Sequence, residues 1–258
     1  MIVYPNAKIN LYLDVLGKRD DGFHEIETLM VPINVFDEMI VDKSEEDEVV
    51  CPVVPEEKNL VYKALKLFKK EFNIKECFKF ILTKKIPEKA GLGGGSSDAA
   101  FAIKALCKMC YIDVRDEKVM SIASQIGSDV PFFINNKPAI ARGRGEKLET
   151  IEIKKIHGVL VFNGYEFSTK DVFSNFTCRK GEKGTFIRND LERAISIYKE
   201  SDKVFEIKTA LKQAGCYESG MSGSGSSVFG LCEGEEKALQ VLEKIKNDYL
   251  FAVAFKSL

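Results

Sequence analysis

A chain of 258 residues, 45% hydrophobic and 30% charged, holds enough apolar material for one large domain or two modest ones. Its 38 Lys and Arg nearly cancel 39 Asp and Glu, which excludes an overall field for nucleic acid or anionic membrane and makes any recognition of a polyanion local. No apolar run could span a bilayer, and MIVYPNAKIN lacks the basic head and apolar stretch of a secretory signal, so the expectation is a soluble cytoplasmic protein.

The chain begins with strands. From Lys8 to Gly17, Ile9, Leu11, Leu13 and Val15 alternate with Asn10, Tyr12 and Asp14, the period of a half-buried strand. Residues 37–43 and 77–85 read as further strands, with an acidic, solvated turn over 45–50. Residues 58–72 form an amphipathic helix, Leu60, Ala64, Leu67 and Phe68 on one face and lysines opposite. A glycine-rich stretch then leads into a helix carrying Ala99, Ala102, Ile103, Leu106 and Cys110. A second helix with Val119, Ile122, Ala123 and Ile126 stops at Gly127, and Pro131 bars its simple continuation.

The charged, glycine-rich run Arg142–Lys147 is the best boundary, giving domains over 1–145 and 146–258. Beyond it, 157–162, 226–232 and 251–255 read as strands, and 189–198, 203–215 and 235–249 as helices. Helices and strands interleave, but the short early links argue against a purely parallel sheet. The fold class is α+β in two domains.

Seven cysteines, an odd number scattered along the chain, fit reduced thiols rather than an oxidised framework. Cys107 and Cys110 make a lone C-x-x-C inside a helix, and His24 and His157 are the only histidines, too few for a recognisable zinc site. The pair reads as part of a helical face.

Chemistry concentrates in four stretches. AGLGGGSSDAA, from Ala90, places glycines and two serines ahead of a helix, where backbone N–H groups, hydroxyls and the helix dipole can cradle phosphate oxygens. Read alone, such a stretch serves equally as a tight turn. It is neither a P-loop nor the dinucleotide fingerprint. Asp98 suits the helix dipole but would repel phosphate, so its carboxylate should point away from the loop. A second Gly/Ser stretch, Gly220–Gly230, could converge with the first on one polyphosphate. Lys8 lies beside a strand start and Asp129 in a turn between a helix end and a proline. Together, an aspartate that accepts a hydroxyl proton and a lysine that stabilises the resulting oxygen would serve phosphoryl transfer; singly, they read as a surface lysine and an Asx turn.

Lys8–Asn10, Pro87–Ala100, Gly127–Pro131 and Met221–Phe229, in that order, resemble the GHMP superfamily of galactokinase, homoserine kinase, mevalonate kinase and phosphomevalonate kinase, nearly end to end. AKINLYLDVLGKRDDGFHEIETLM, PEKAGLGGGSSDAA, GSDVPFF and SGSGSS are most similar to its 4-diphosphocytidyl-2-C-methyl-D-erythritol kinase family. The resemblance implies an active site in a cleft between an N-terminal ATP-loop and catalytic domain and a C-terminal ferredoxin-like domain. It implies transfer of the γ-phosphate of ATP, with Mg²⁺, to a hydroxyl on the erythritol part of a small molecule carrying cytidine diphosphate, acting as monomer or homodimer.

On the matching positions, Asp129 falls on the general base and Lys8 on the catalytic lysine. The ATP loop falls on Pro87, Glu88, Lys89, Ala90, Gly91, Leu92, Gly93, Gly94, Gly95, Ser96 and Ser97, the glycines making room for triphosphate. Asn59 and Lys84 are implied beside adenine, Asn10 at the acceptor, and Ser97 at Mg²⁺. Phe23 and His24 supply a flat apolar face and a hydrogen-bonding edge for cytosine, with Phe23 where relatives commonly carry tyrosine and Met30 where some carry another aromatic. The resemblance implies a further stacking partner from the stretch before NDLE, with Phe186 the natural candidate and Ile187 competing. Other acceptors of the superfamily, mevalonate or homoserine, have no base to stack. A nucleotide-binding regulator without turnover would need neither Lys8 nor Asp129.

Overall fold

In the computed structural model, described over residues 1–177 and 186–258, the chain opens with the strands β1 (Ile2–Val3), β2 (Asn6–Lys18), β3 (His24–Phe36), β4 (Glu38–Ser44) and β5 (Glu48–Val50). Helix α1 (Leu60–Phe72) is capped by the Asn59 side chain, which accepts from Val61 N–H, and ends at Asn73 in the left-handed region. There follow β6 (Cys77–Thr83), α2 (Gly94–Met109), α3 (Glu117–Ile126) and α4 (Val130–Asn135). Proline is tolerated in α4 because it occupies the first turn, where its missing N–H is not needed. Then come β7 (Ala139–Gly143), β8 (Lys147–Thr150), β9 (His157–Phe162), α5 (Thr169–Asn175), β10 (Arg188–Asn189), α6 (Ser201–Ala214), β11 (Glu218–Met221), β12 (Val228–Cys232), α7 (Glu235–Ile245) and β13 (Phe251–Lys256).

Several expectations change. Residues 45–50 are not all turn, since Glu48–Val50 pair in parallel with β6. Residues 189–198 are not an α-helix but two short 3₁₀ turns, Asp190–Glu192 and Ala194–Ile197, the first capped by the Asn189 side chain, which accepts from Leu191 N–H. β3 carries no alternation to read, since Leu29–Ile33 are buried on both faces. β2 likewise buries Lys8, Asn10 and Tyr12 along with Ile9, Leu11 and Leu13.

The chain divides into two compact units. The first comprises residues 1–7, 35–86 and 93–137, the second 8–34, 87–92 and 138–258. Arg142–Lys147, read above as a boundary, is the tight turn of the β7–β8 hairpin within the second unit. In the first unit, a sheet ordered β1-β4-β6-β5 accompanies packed helices α1 to α4, with Phe68, Phe78, Phe80, Phe132 and Phe133 fully buried. In the second, β10-β2-β3-β7-β8 form one sheet and β11-β12-β9-β13 another. The latter, with α6 and α7 on it, is the β–α–β–β–α–β ferredoxin-like arrangement. Its core gathers Val159, Val161, Val204, Leu211, Val228 and Val241.

Candidate active site

The glycine stretch falls partly in each unit, the chain passing from the second to the first after Leu92. Gly91 (φ +74°) and Gly93 (φ +70°) adopt the left-handed conformation that glycine favours. Gly93 starts α2, and no side chain caps that start, leaving the first-turn N–H groups for an outside acceptor. Gly91 has a different reason. A Cβ there would lie 2.0 Å from the Ser222 carbonyl oxygen. The missing side chain therefore makes room for another backbone segment, which corrects the expectation that these glycines all clear space for a ligand. Gly95 would meet nothing closer than 3.8 Å.

The second Gly/Ser stretch is that segment. Ser222 to Ser227 are buried, so they brace the first loop rather than offer a second open cradle. Ser222 Oγ donates to the Gly91 carbonyl at 2.9 Å, Ser227 N–H to Ala90 O at 3.2 Å, and Lys8 N–H to Leu92 O at 3.0 Å. Lys89 reaches away to an exposed pair with Glu166 at 2.6 Å.

Lys8, Asn10 and Tyr12 share one face of β2, the face opposite Ile9. Lys8 Nζ donates to Asn10 Oδ1 at 2.5 Å. Asn10 Nδ2 donates to Thr28 Oγ1 at 2.8 Å, and Thr28 Oγ1 donates in turn to Tyr12 O at 2.6 Å. Asn10 is thus locked by neighbours on both sides of it.

In the first unit, Asp129 stands at the start of α4 in the helical region, and its side chain does not cap that helix. Gly127 before it is extended, and a Cβ there would lie 3.8 Å from Ser96 Oγ, so the Asp129 turn and the start of α2 are neighbours. Ser97 Oγ is wholly buried and makes no hydrogen bond, so as placed it cannot reach an ion in solvent; Ser96 is the more open of the two hydroxyls. Among the described residues no cluster of His, Cys, Asp or Glu could hold a metal on its own. Asn59 Nδ2 is a buried donor without a partner, the kind of orphan that a ligand acceptor would satisfy.

Lys84 is not an open side chain. Its ammonium bonds Asp37 Oδ2 at 2.5 Å and Asp98 Oδ2 at 2.6 Å, all three nearly buried. Burial works against its charge, but Asp98 and Asp37 outweigh that and raise its pKa above 10.5. Burial pushes the Asp98 carboxyl up to about 7, against the pull of Lys84. The Asp98 carboxylate is held by the Lys84 ammonium.

Phe23 and His24 sit at the start of β3 in the second unit. Phe23 is 53% exposed, with the Arg144 guanidinium 4.8 Å from its ring centroid. The His24 ring lies 5.3 Å from Phe173 and 6.2 Å from Phe176. Burial, and secondarily the charge of Lys18, hold its pKa below 6.5, so the imidazole is neutral at pH 7. Phe186 exposes its ring edge-on to Tyr12, at 6.4 Å, whereas Ile187 is buried over Gly220. Met30 is core, 1% exposed, and offers no stacking face.

Phe173 and Phe176, the ring neighbours of His24, and Arg144, over Phe23, were not singled out by sequence reasoning. For the first two a signal existed: Ser168, which caps α5 by accepting from Asp171 N–H, begins an S-x-x-D start that announces the helix carrying Phe173. Cys107 is buried on α2 and Cys110 ends it, as the helical-face reading expects.

GHMP kinases N terminal domain matches residues 59–137 and GHMP kinases C terminal matches 180–250. The 4-diphosphocytidyl-2-C-methyl-D-erythritol kinase of Parabacteroides distasonis is 40% identical, covering 90% of this chain and 92% of that one. The chain belongs to the 4-diphosphocytidyl-2-C-methyl-D-erythritol kinase family of GHMP kinases. The relative of the same name from Caldanaerobacter subterraneus subsp. tengcongensis is 36% identical over 98% of this chain and 95% of its own. A crystal structure of 4-(cytidine 5'-diphospho)-2C-methyl-D-erythritol kinase superposes with a TM-score of 0.88 at 30% identity, covering 100% of this chain and 99% of that one. Homoserine kinase from Cytophaga hutchinsonii, at 17% identity and TM-score 0.73, covers 100% of this chain and 94% of that one and shares the fold alone. This family member is therefore a small-molecule kinase with the GHMP fold. No helix among its described residues is long and apolar enough to cross a membrane.

Proposed function

We propose that this kinase transfers the γ-phosphate of ATP to a hydroxyl on the erythritol part of 4-diphosphocytidyl-2-C-methyl-D-erythritol, in the non-mevalonate route to isoprenoid precursors. The observation that carries the acceptor assignment is the setting of His24. A neutral imidazole has one donor and one acceptor nitrogen, and here its ring is flanked by Phe173 and Phe176 while Phe23 presents an exposed face one residue away. That combination suits the edge and face of a pyrimidine, for which mevalonate and homoserine have no equivalent.

The triphosphate would lie against Pro87–Ser97, with the uncapped N-terminal turn of α2 facing its oxygens. Asn59, through its orphaned Nδ2, suits a ring nitrogen of adenine. Asp129 accepts the proton of the attacking hydroxyl, and the Lys8 ammonium stabilises the negative charge that develops on that oxygen. Transfer is direct, without a phosphoenzyme. Mg²⁺, when bound with ATP, neutralises phosphate charge, and the Ser96 hydroxyl is the more accessible of the two serines for it.

The test is an ADP-release assay with Mg-ATP, offering the diphosphocytidyl acceptor, mevalonate and homoserine in parallel. Turnover confined to the cytidine substrate is the expected result. Turnover only with another acceptor would keep the kinase and discard the cytosine pocket.

A further inference from the structure

We propose that Asp37, Lys84 and Asp98 are positioning residues for the phosphate loop, a buried clamp in which one ammonium ties together the chain entering Pro87–Gly93 and the chain leaving it. The inference rests on the reading of that loop as the ATP site, and it gives Lys84 a role through the loop in place of contact with adenine.

The geometry is confined to the first unit. On the entering side, the fully buried Asp37 accepts from Lys85 N–H at 2.5 Å and Ile86 N–H at 2.8 Å through Oδ1, and from Lys84 Nζ at 2.5 Å through Oδ2. These are the last residues before Pro87. On the leaving side, Asp98 stands in the first turns of α2 and takes the same ammonium at 2.6 Å. The ammonium also lies under the exit of the loop: a Cβ built on Gly94 would be 3.3 Å from Lys84 Nζ and 3.1 Å from Ile86 Cγ2. Both stems of the loop are thus held to one point.

Desolvating a cation with two carboxylates is costly, and well-packed apolar side chains would give equal or greater stability. What the charged arrangement supplies is direction and length, since each bond fixes one stem. Removing one member leaves a buried group uncompensated and frees one stem, which misplaces the N–H groups that line the loop.

The experiment compares the wild type with Lys84→Met, Asp98→Asn and Lys84→Arg. Calorimetry measures the binding of ATP and of inorganic tripolyphosphate, which has no base. Hydrogen exchange of peptides covering Pro87–Asp98 is followed without any ligand, and KM is measured for both substrates. K84M and D98N are expected to weaken ATP and tripolyphosphate alike, by about tenfold, the size of one charged hydrogen bond lost. Exchange over the loop should quicken in both, the acceptor KM should move less than about twofold, and K84R should recover most of the affinity.

Wild-type exchange and affinity in D98N would overturn the clamp. So would loss of ATP binding with tripolyphosphate binding intact, since Lys84 would then be reading the base. If the wild type binds neither ligand, the ATP-loop reading fails, while faster loop exchange in the variants would still support the clamp. Should a single variant not fold, the D37N/K84M/D98N triple removes all three charges together and carries the same readouts.

Discussion

Lys8 Nζ donates to Asn10 Oδ1 at 2.5 Å, two residues along the same face of β2, so the catalytic lysine proposed here and the acceptor-binding asparagine proposed here are placed by one bond. Asn10 is in turn held by Thr28. Thr28→Val keeps the shape but leaves Asn10 Nδ2 a buried donor without its partner, a cost of about 1–3 kcal/mol. We expect a lower melting temperature and a raised KM for the acceptor, with KM for ATP little changed. Thermal unfolding and initial rates on one preparation check both; equal rises in the two KM values would detach Asn10 from the acceptor.

Asp129→Asn removes the proposed base while keeping its shape. Turnover should fall by about 10²- to 10⁴-fold with ATP binding retained. Turnover near that of the wild type would take Asp129 out of the mechanism.

His24→Ala should chiefly raise KM for the cytidine substrate. Phe173→Leu, which removes the ring 5.3 Å from the imidazole, should act in the same direction and more weakly. Steady-state kinetics with each substrate varied in turn makes the comparison. A matched rise in KM for ATP would count against a cytosine pocket at His24.

The pH dependence of acceptor binding follows from the same residue. Burial, with Lys18, lowers the His24 pKa below 6.5, so the neutral form dominates at pH 7 and above. Binding that uses the neutral imidazole is then level from pH 7 to 8 and weakens only as pH falls through the depressed pKa. The linkage has the same sign for stability: between the folded and unfolded pKa values the unfolded chain binds more protons at this site, so acid disfavours the folded state there. A KM for the acceptor that improves on acidification would mean the charged imidazole binds.

Gly91→Ala places a methyl group 2.0 Å from the Ser222 carbonyl oxygen on a backbone at φ +74°. The strain should cost about 1–3 kcal/mol and displace the loop, so KM for ATP rises sharply. Gly17→Ala, which meets nothing within 4 Å, is the matched control. An unchanged melting point in G91A would show that the two Gly/Ser segments part easily.

Much of the fold was legible because single elements carry local signals. The Gly127 stop of α3 and the glycine signal at the end of α6 appear where caps put them, and α1 forms as expected, although its buried face is Val61, Ala64, Leu65 and Phe68, with Leu60 and Leu67 only half-buried. β3 was not legible, because a strand buried on both faces loses its alternation. The turns at 190–197 were misread because a short 3₁₀ turn carries the same helix-like spacing of apolar residues as an α-helix, and the Asn189 cap is a signal common to both.

By itself the sequence determined which stretches could carry chemistry: a glycine loop before a helix, a lysine at a strand start, an aspartate in a turn, an aromatic–histidine pair. Each rests on residue types and short spacings, which are local. The tertiary structure alone decided what those residues face. Gly91 is glycine for the sake of Ser222, more than a hundred residues away, Lys84 is held between Asp37 and Asp98, and His24 lies beside rings from α5. Such partners are chosen by chain reversals over long separations, and a hydrogen bond or steric contact acts over a few ångströms whatever the distance along the chain.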